Sequence, residues 1–254
     1  MTKNPFFILG CVRSGTTLLR DVLRRHPNLA SPEETHFYRW GDPFGTAMAI
    51  APLLNNPDLR RHRELDGISH EEFEVLLAGT SSKADLCAKY MNLYLSKSGQ
   101  QGKRWFDKTP QNVNGSALIA SQFPNARFVH IVRDPVDVVS SLRVGKVMKI
   151  ESLVGACNYW LESVQILDVL KNAYPRRVYE VRYEDLTADF LPGLEKIVNF
   201  IGEGWDPTYF ADVTIKASSH KHGSLFGDEE LKQVELLCGE WGQRYGYFST
   251  PHYQ

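Results

Sequence analysis

The sequence predicts an α/β protein: a central, mostly parallel sheet flanked by helices. Three observations predict it. Phe6–Gly10 and Phe128–Val132 are short, nearly continuous apolar runs, the composition of strands buried on both faces. Each is followed by a turn and then by a helical pattern. Strand and helix signals alternate along the chain, with no internal repeat and no low-complexity tract, as in parallel strands joined by crossover helices.

The elements follow in order. After Phe6–Gly10, Leu18, Leu19, Val22 and Leu23 share one face of a helix that Pro27 closes. His36–Lys103 is long and helical in pattern, most clearly over Ala84–Leu95, and no linker sets it apart. It is read as a helical elaboration over the substrate side, within a single domain of residues 1–254. Arg104–Asp107 is a short strand, and Phe128–Val132 places four apolar residues around His130. Asp134-Pro135 reads as an N-cap and first helical residue. Leu153, Cys157, Trp160, Leu161, Val164 and Leu167 mark a long amphipathic helix, and Val178–Tyr183 another strand. Phe190, Leu191, Leu194, Ile197, Val198 and Ile201 form a helical stripe with Pro192 in its first turn. Asp228 is expected to cap a last helix with Leu231, Val234, Leu237 and Trp241 inward.

Composition narrows the function classes. Of 254 residues, 43% are apolar and 23% charged, which excludes a disordered or fibrous chain. Lys plus Arg is 29 and Asp plus Glu is 30, so a net charge of −1 gives no support for a general nucleic-acid or polyanion binder but leaves room for a local basic pocket. No apolar run approaches the roughly 18 residues of a membrane span. Phe6–Val12 ends at Arg13 with no small-residue cleavage site after it. Cys11, Cys87, Cys157 and Cys238 are scattered, without a CxxC pair. They are read as reduced core thiols, and the protein as cytoplasmic.

The loop from Gly10 to Thr17 has the skeleton G-x-x-x-x-G-T-T and lies between a strand and a helix. Its glycines let backbone N–H groups turn inward, and the helix N-terminus favours an anion. The arrangement is P-loop-like, yet a nucleotide P-loop carries lysine where Thr16 stands. A cation appears instead at Arg13. A triphosphate needs that lysine and Mg²⁺; a sulfuryl group carries less charge, and side-chain cations without a metal suffice.

A second anion motif is Arg127-Phe128-Val129-His130-Ile131-Val132-Arg133-Asp134-Pro135. Arg133 sits at the carboxyl end of its strand, where open α/β sheets bind ligands. Ser141 follows eight residues later, about two helical turns on. An arginine fork and a hydroxyl suit a phosphate.

On these residues the chain resembles the sulfotransferases that use 3′-phosphoadenosine 5′-phosphosulfate (PAPS). Arg13, Ser14, Gly15, Thr16 and Thr17 are similar to that family's 5′-phosphosulfate loop, above all in the tyrosylprotein sulfotransferases. Arg133 and Ser141 match its 3′-phosphate pair in type and spacing. Val181–Leu186 resembles a strand-end Tyr-Glu-Asp segment, which implies that Tyr183 contacts the adenine side. Where cytosolic members hold the 3′-phosphate with an Arg-Lys-Gly loop, this chain has Ser219-His220-Lys221-His222-Gly223, so Lys221 is the candidate there.

Two further segments supply acid–base chemistry. An attacking hydroxyl must lose its proton to a base within hydrogen-bond reach. The leaving phosphate oxygen gains charge that a nearby lysine stabilises. Pro32-Glu33-Glu34-Thr35-His36-Phe37-Tyr38 and Asp107-Lys108-Thr109-Pro110 carry both types. Glu34 lies 21 positions after Arg13, similar to the Glu-Glu-Thr base of tyrosylprotein sulfotransferases. Glu34–Tyr38 and Lys108–Pro110 also resemble heparan sulfate 3-O-sulfotransferases, where a histidine supports the base. The tyrosylprotein enzymes carry Arg at the position of His36, and the heparan group an acid at that of Arg39.

The resemblance implies PAPS as co-substrate, adenosine 3′,5′-bisphosphate (PAP) as product and no metal. The catalytic candidates are Glu34, Lys108, His36 and Arg13. The acceptor is left open among a small phenol or alcohol, a lipid, a glycan and a peptide tyrosine. A small hydroxyl-bearing molecule and a bacterial-type soluble enzyme are expected. Two alternatives are a P-loop-like kinase or NTPase without its lysine, and a catalytically silent nucleotide-binding protein.

Overall fold

The computed structural model describes residues 4–145, 148–215 and 226–249. At its centre is β1 (Phe6–Leu9), fully buried along its length. Side chains alternate across a strand, and β1 divides accordingly. Phe6 and Ile8 join Leu19, Val22 and Leu23 of α1 (Thr16–Leu23) and Leu194 and Ile197 of α10 (Phe190–Ile201). Phe7 and Leu9 face Tyr90 and Met91 of α5 (Lys83–Lys97), Ile119 of α6 (Ser116–Gln122) and Leu167 of α8 (Leu153–Ala173). Each phenylalanine buried this way stabilises the fold by about 1.5–3 kcal/mol.

The sheet has five strands in the order β2-β3-β1-β4-β5, and every pairing is parallel. The flanking strands are β3 (Arg104–Lys108), β4 (Arg127–Val132) and β5 (Val178–Arg182). β2 (Leu29–Ala30) is a two-residue edge strand. Pairing is in register from Phe6 to Phe106 on one side and to Arg127 on the other. The chain leaves β1 toward β2 and leaves β4 toward β5, so the topology reverses between β1 and β4. Open α/β sheets bind ligands at such a point, beyond the strand carboxyl ends.

Between β2 and β3 the chain forms α2 (Ala47–Asn55), α3 (Pro57–Leu65), α4 (His70–Ala78) and α5. A third cluster joins Cys11 and Val12 to Val138 and Val139 of α7 (Pro135–Val144), Trp160 of α8 and Val234 and Cys238 of α11 (Asp228–Arg244). It packs the back of the anion loop.

Some details differ from the sequence reading. Tyr183 does not close β5 but opens the short α9 (Tyr183–Ala188). The N-cap of α11 is Gly227, and Asp228 is the first helical residue. Among the described residues no helix is long and apolar enough to cross a membrane.

Candidate active site

The anion loop is built by backbone geometry. Gly15, N-cap of α1, has φ 94, a left-handed conformation, and Arg13 has φ 72. The N-terminus of α1 has no side-chain cap. Its first amides therefore keep their donors for another acceptor, and the positive end of the helix favours an anion. Ser14 is fully buried, and its Oγ has no hydrogen-bond partner among the described residues. A cleft of about 280 Å³ opens here, lined by Arg13, Gly15, Thr16, Thr17, Leu18, Arg133 and Tyr183. An uncapped helix end, an orphaned hydroxyl and two arginines fit a phosphate-bearing ligand.

The two predicted anion motifs form one surface. Arg13 Nε donates to Ser141 Oγ at 2.8 Å, and Arg133 Nη1 donates to the Arg13 carbonyl at 3.1 Å. Arg133 pairs with Asp137 at 3.0 Å, while Asp134 caps α7 by accepting from the Val136 N–H. Trp160 Nε1 donates to the Arg133 carbonyl at 2.9 Å, fixing the strand end from behind. Tyr183 is 3% exposed, with the Arg133 guanidinium 4.6 Å from its ring centre and the Gly15 backbone against its ring edge. It forms the floor beneath Arg133. Lys221 lies outside the described residues.

Glu33 and Glu34 are neighbours with opposite surroundings. Glu33 accepts from Arg20 at 2.6 Å and from Arg24 at 3.2 Å. Burial raises its proton affinity, but these two cations outweigh it and hold the carboxyl below its ordinary range. Glu34 Oε1 is bound by Lys108 Nζ, which also donates to Thr17 Oγ1 at 3.0 Å. Lys108, from the end of β3, is 1% exposed. Burial lowers its ammonium from the ordinary value, the Glu34 charge opposes that, and Arg20 adds to it. Glu34 Oε2 faces His36 Nε2 at 3.5 Å.

His36 has φ 57 and is 4% exposed. Burial first, then the nearby cationic groups Arg39, His62 and Lys108, lower it to about 3, so the imidazole is neutral at neutral pH. The loop around it is tied to β3. Thr109 Oγ1 accepts from the Thr35 N–H at 2.9 Å, and Asp107 accepts from Thr35, Thr109 and Asn112. Burial raises Asp107 to about 6 against those hydrogen bonds.

Residues outside the sequence motifs also reach the site. His62 on α3 lies with Nδ1 3.0 Å from the Glu34 carbonyl and stacks on His36 at 5.8 Å and 14°. Asp66, at the end of α3, accepts from the Glu33 N–H at 2.8 Å. No motif flags either residue. A helix signal over Pro57–Leu65, capped by Asn56 with proline first, was readable but not which strand end it reaches.

Comparison with known proteins gives the family. The Sulfotransferase family pattern matches residues 5–207. A protein-tyrosine sulfotransferase of Drosophila melanogaster is 26% identical over 205 residues, 79% of this chain and 38% of that protein. The sulfotransferase domain of the Synechococcus PCC 7002 olefin synthase superposes with a TM-score of 0.66 at 23% identity, covering 100% of this chain and 91% of that one. A mouse sulfotransferase complexed with PAP gives a TM-score of 0.55 at 15% identity, with 96% and 86% covered. The chain spans about a third to a half of the length of several curated relatives it matches. With the family pattern running from β1 through both anion motifs and the Glu34–Lys108 pair, the chain belongs to the sulfotransferase family.

Proposed function

We propose that this chain transfers a sulfuryl group from PAPS to an acceptor hydroxyl and releases PAP. The observation that carries the reading is the Glu34–Lys108–Thr17 chain. It connects a carboxylate on the acceptor side to the anion loop through one buried ammonium. The solved relative complexed with PAP supports the nucleotide.

In this reading Arg133 and Ser141 hold the 3′-phosphate, and Arg13, Ser14, Gly15, Thr16 and Thr17 hold the phosphosulfate. Tyr183 supports Arg133 and borders the adenine side, and Lys221 is a further candidate for the 3′-phosphate. Glu34 Oε2 takes the acceptor proton while the acceptor oxygen bonds to sulfur. The bond from sulfur to the 5′-phosphate oxygen breaks, and its electron pair leaves with PAP. Lys108 offsets the charge that develops on that oxygen. His36, neutral, supports Glu34 rather than competing for the proton.

The acceptor is proposed as a small hydroxyl-bearing molecule. A cytoplasmic setting belongs to the same reading, supported by four buried, unbridged cysteines. Titration calorimetry with PAP tests the donor site. Binding that is unchanged by chelator and weaker without the 3′-phosphate is expected; no binding of PAP overturns the proposal. A labelled-PAPS screen over phenols, alcohols, glycans and tyrosine peptides then identifies the acceptor.

A further inference from the structure

The peptide that carries Glu34 is held on its outer side by one helix from the segment between β2 and β3. His62 and Asp66 are four residues apart on α3 and its C-cap, so they share a face. Asp66 Oδ1 accepts from the Glu33 N–H at 2.8 Å, and its Oδ2 accepts from the Tyr90 hydroxyl at 2.6 Å. His62 Nδ1 meets the Glu34 carbonyl at 3.0 Å. A carbonyl only accepts, so Nδ1 carries a proton in this contact. The helix thus grips the N–H of one glutamate and the C=O of the next.

We propose that His62 and Asp66 are positioning residues, a clamp that sets the Glu34 carboxylate for proton transfer. The proposal rests on Glu34 being the base. Asp66 is itself anchored, 7% exposed and bonded to a tyrosine that is 1% exposed. His62 is only half-buried, and its ring meets the Glu34 carbonyl and the His36 ring. Both contacts bear on the base. His36 presents Nε2 to Glu34 Oε2 at 3.5 Å, so the stack places a second restraint on the same carboxylate. Proton transfer depends steeply on placement: a shift of about 1 Å costs up to about 100-fold.

The test compares His62→Ala, His62→Asn and His62→Gln. The asparagine amide reaches the place of Nδ1–H, whereas glutamine reaches that of Nε2. PAPS turnover is measured with a mixed phenol and primary-alcohol acceptor pool at saturating PAPS, and PAP affinity by calorimetry. His62→Ala is expected to lower kcat about 10–100-fold with PAP affinity unchanged. Asparagine restores most of the rate and glutamine does not. In a Glu34→Gln background His62→Ala adds no further loss. Nitrogen NMR of the wild-type histidines is expected to show His62 protonated at Nδ1. An unaffected kcat, equal rates for alanine and asparagine, a parallel loss of PAP affinity, an additive loss without Glu34, or an Nε2–H tautomer each overturns the clamp. A wild-type rate in Glu34→Gln alone removes the base assignment, and the clamp with it.

Discussion

Replacing Gly15 by alanine probes the anion loop through a single methyl group. Gly15 has φ +94, where a Cβ crowds its own backbone; the strain is about 1–2 kcal/mol. The new Cβ would also lie 2.4 Å from Tyr183 Cδ2 and 2.8 Å from Cε2, against 3.4–4 Å for ordinary contact. The ring has little room to retreat, being 3% exposed with the Arg133 guanidinium 4.6 Å from its centre. Overpacking of this kind costs about 1–3 kcal/mol, which with the strain makes about 2–5 kcal/mol of lost stability. Arg133 moves with the ring, and losing one charge-assisted hydrogen bond weakens PAP about 10–100-fold. The control is Gly67→Ala, at φ +75 with nothing within 4 Å of the added Cβ. It carries the strain without the clash and should leave PAP binding unchanged. Urea unfolding and calorimetry read both variants. A Gly15→Ala protein as stable as Gly67→Ala, with wild-type PAP affinity, refutes the coupling of loop, ring and arginine.

Three other outcomes are expected. Glu34→Gln lowers kcat about 10²–10⁴-fold while PAP affinity stays level, and Glu33→Gln, which disturbs only the Arg20 and Arg24 pairs, lowers urea stability more than rate; a dead Glu33→Gln enzyme reverses the assignment. Arg133→Ala weakens PAP more than adenosine 5′-phosphate in parallel calorimetry, and equal losses place Arg133 elsewhere. His36, lowered from 6.5 to about 3 by burial and then by nearby cationic groups, is neutral in the folded state while the unfolded chain takes up a proton. Its contribution is therefore intact above pH 6.5 and declines as pH falls from 6.5 toward 3. Asp66 and Asp107, raised to about 6 chiefly by burial, act with the opposite sign between 3.8 and 6, so the readout is the difference between wild type and His36→Asn in urea midpoints. Parallel curves would show that His36 does not titrate this way.

What the sequence disclosed depended on where a residue lies relative to a strand end. Arg13–Thr17 and Arg133 follow apolar runs directly, so the strand pattern also located them, and Lys108 stands at the end of the short strand signal over Arg104–Asp107. Glu34 was readable through its spacing from Arg13, and the structure adds why Glu33 is different: Arg20 on α1 and Arg24 at its C-cap claim it. His62, Asp66 and Tyr90 sit in ordinary amphipathic helices whose pattern says which face is buried but not against what. β2 escaped notice because two residues carry no period. The Arg13–Ser141 bond joins residues 128 positions apart and exists only after β1 and β4 have paired.

That central pairing has a consequence for how the chain is made. β1 precedes both of its partners by a long stretch of chain: Phe6 waits for Phe106 and then for Arg127. Closing such long loops precedes any reward from the contacts, which slows folding. Meanwhile an apolar strand with two open edges is a template for association between nascent chains. A nucleotide that touches both the loop after β1 and the end of β4 binds only chains in which the two have met, and by mass action it withdraws them from the aggregating pool. On the proposed function, occupancy of the donor site would therefore stabilise the β1–β4 pairing in proportion to the ligand bound.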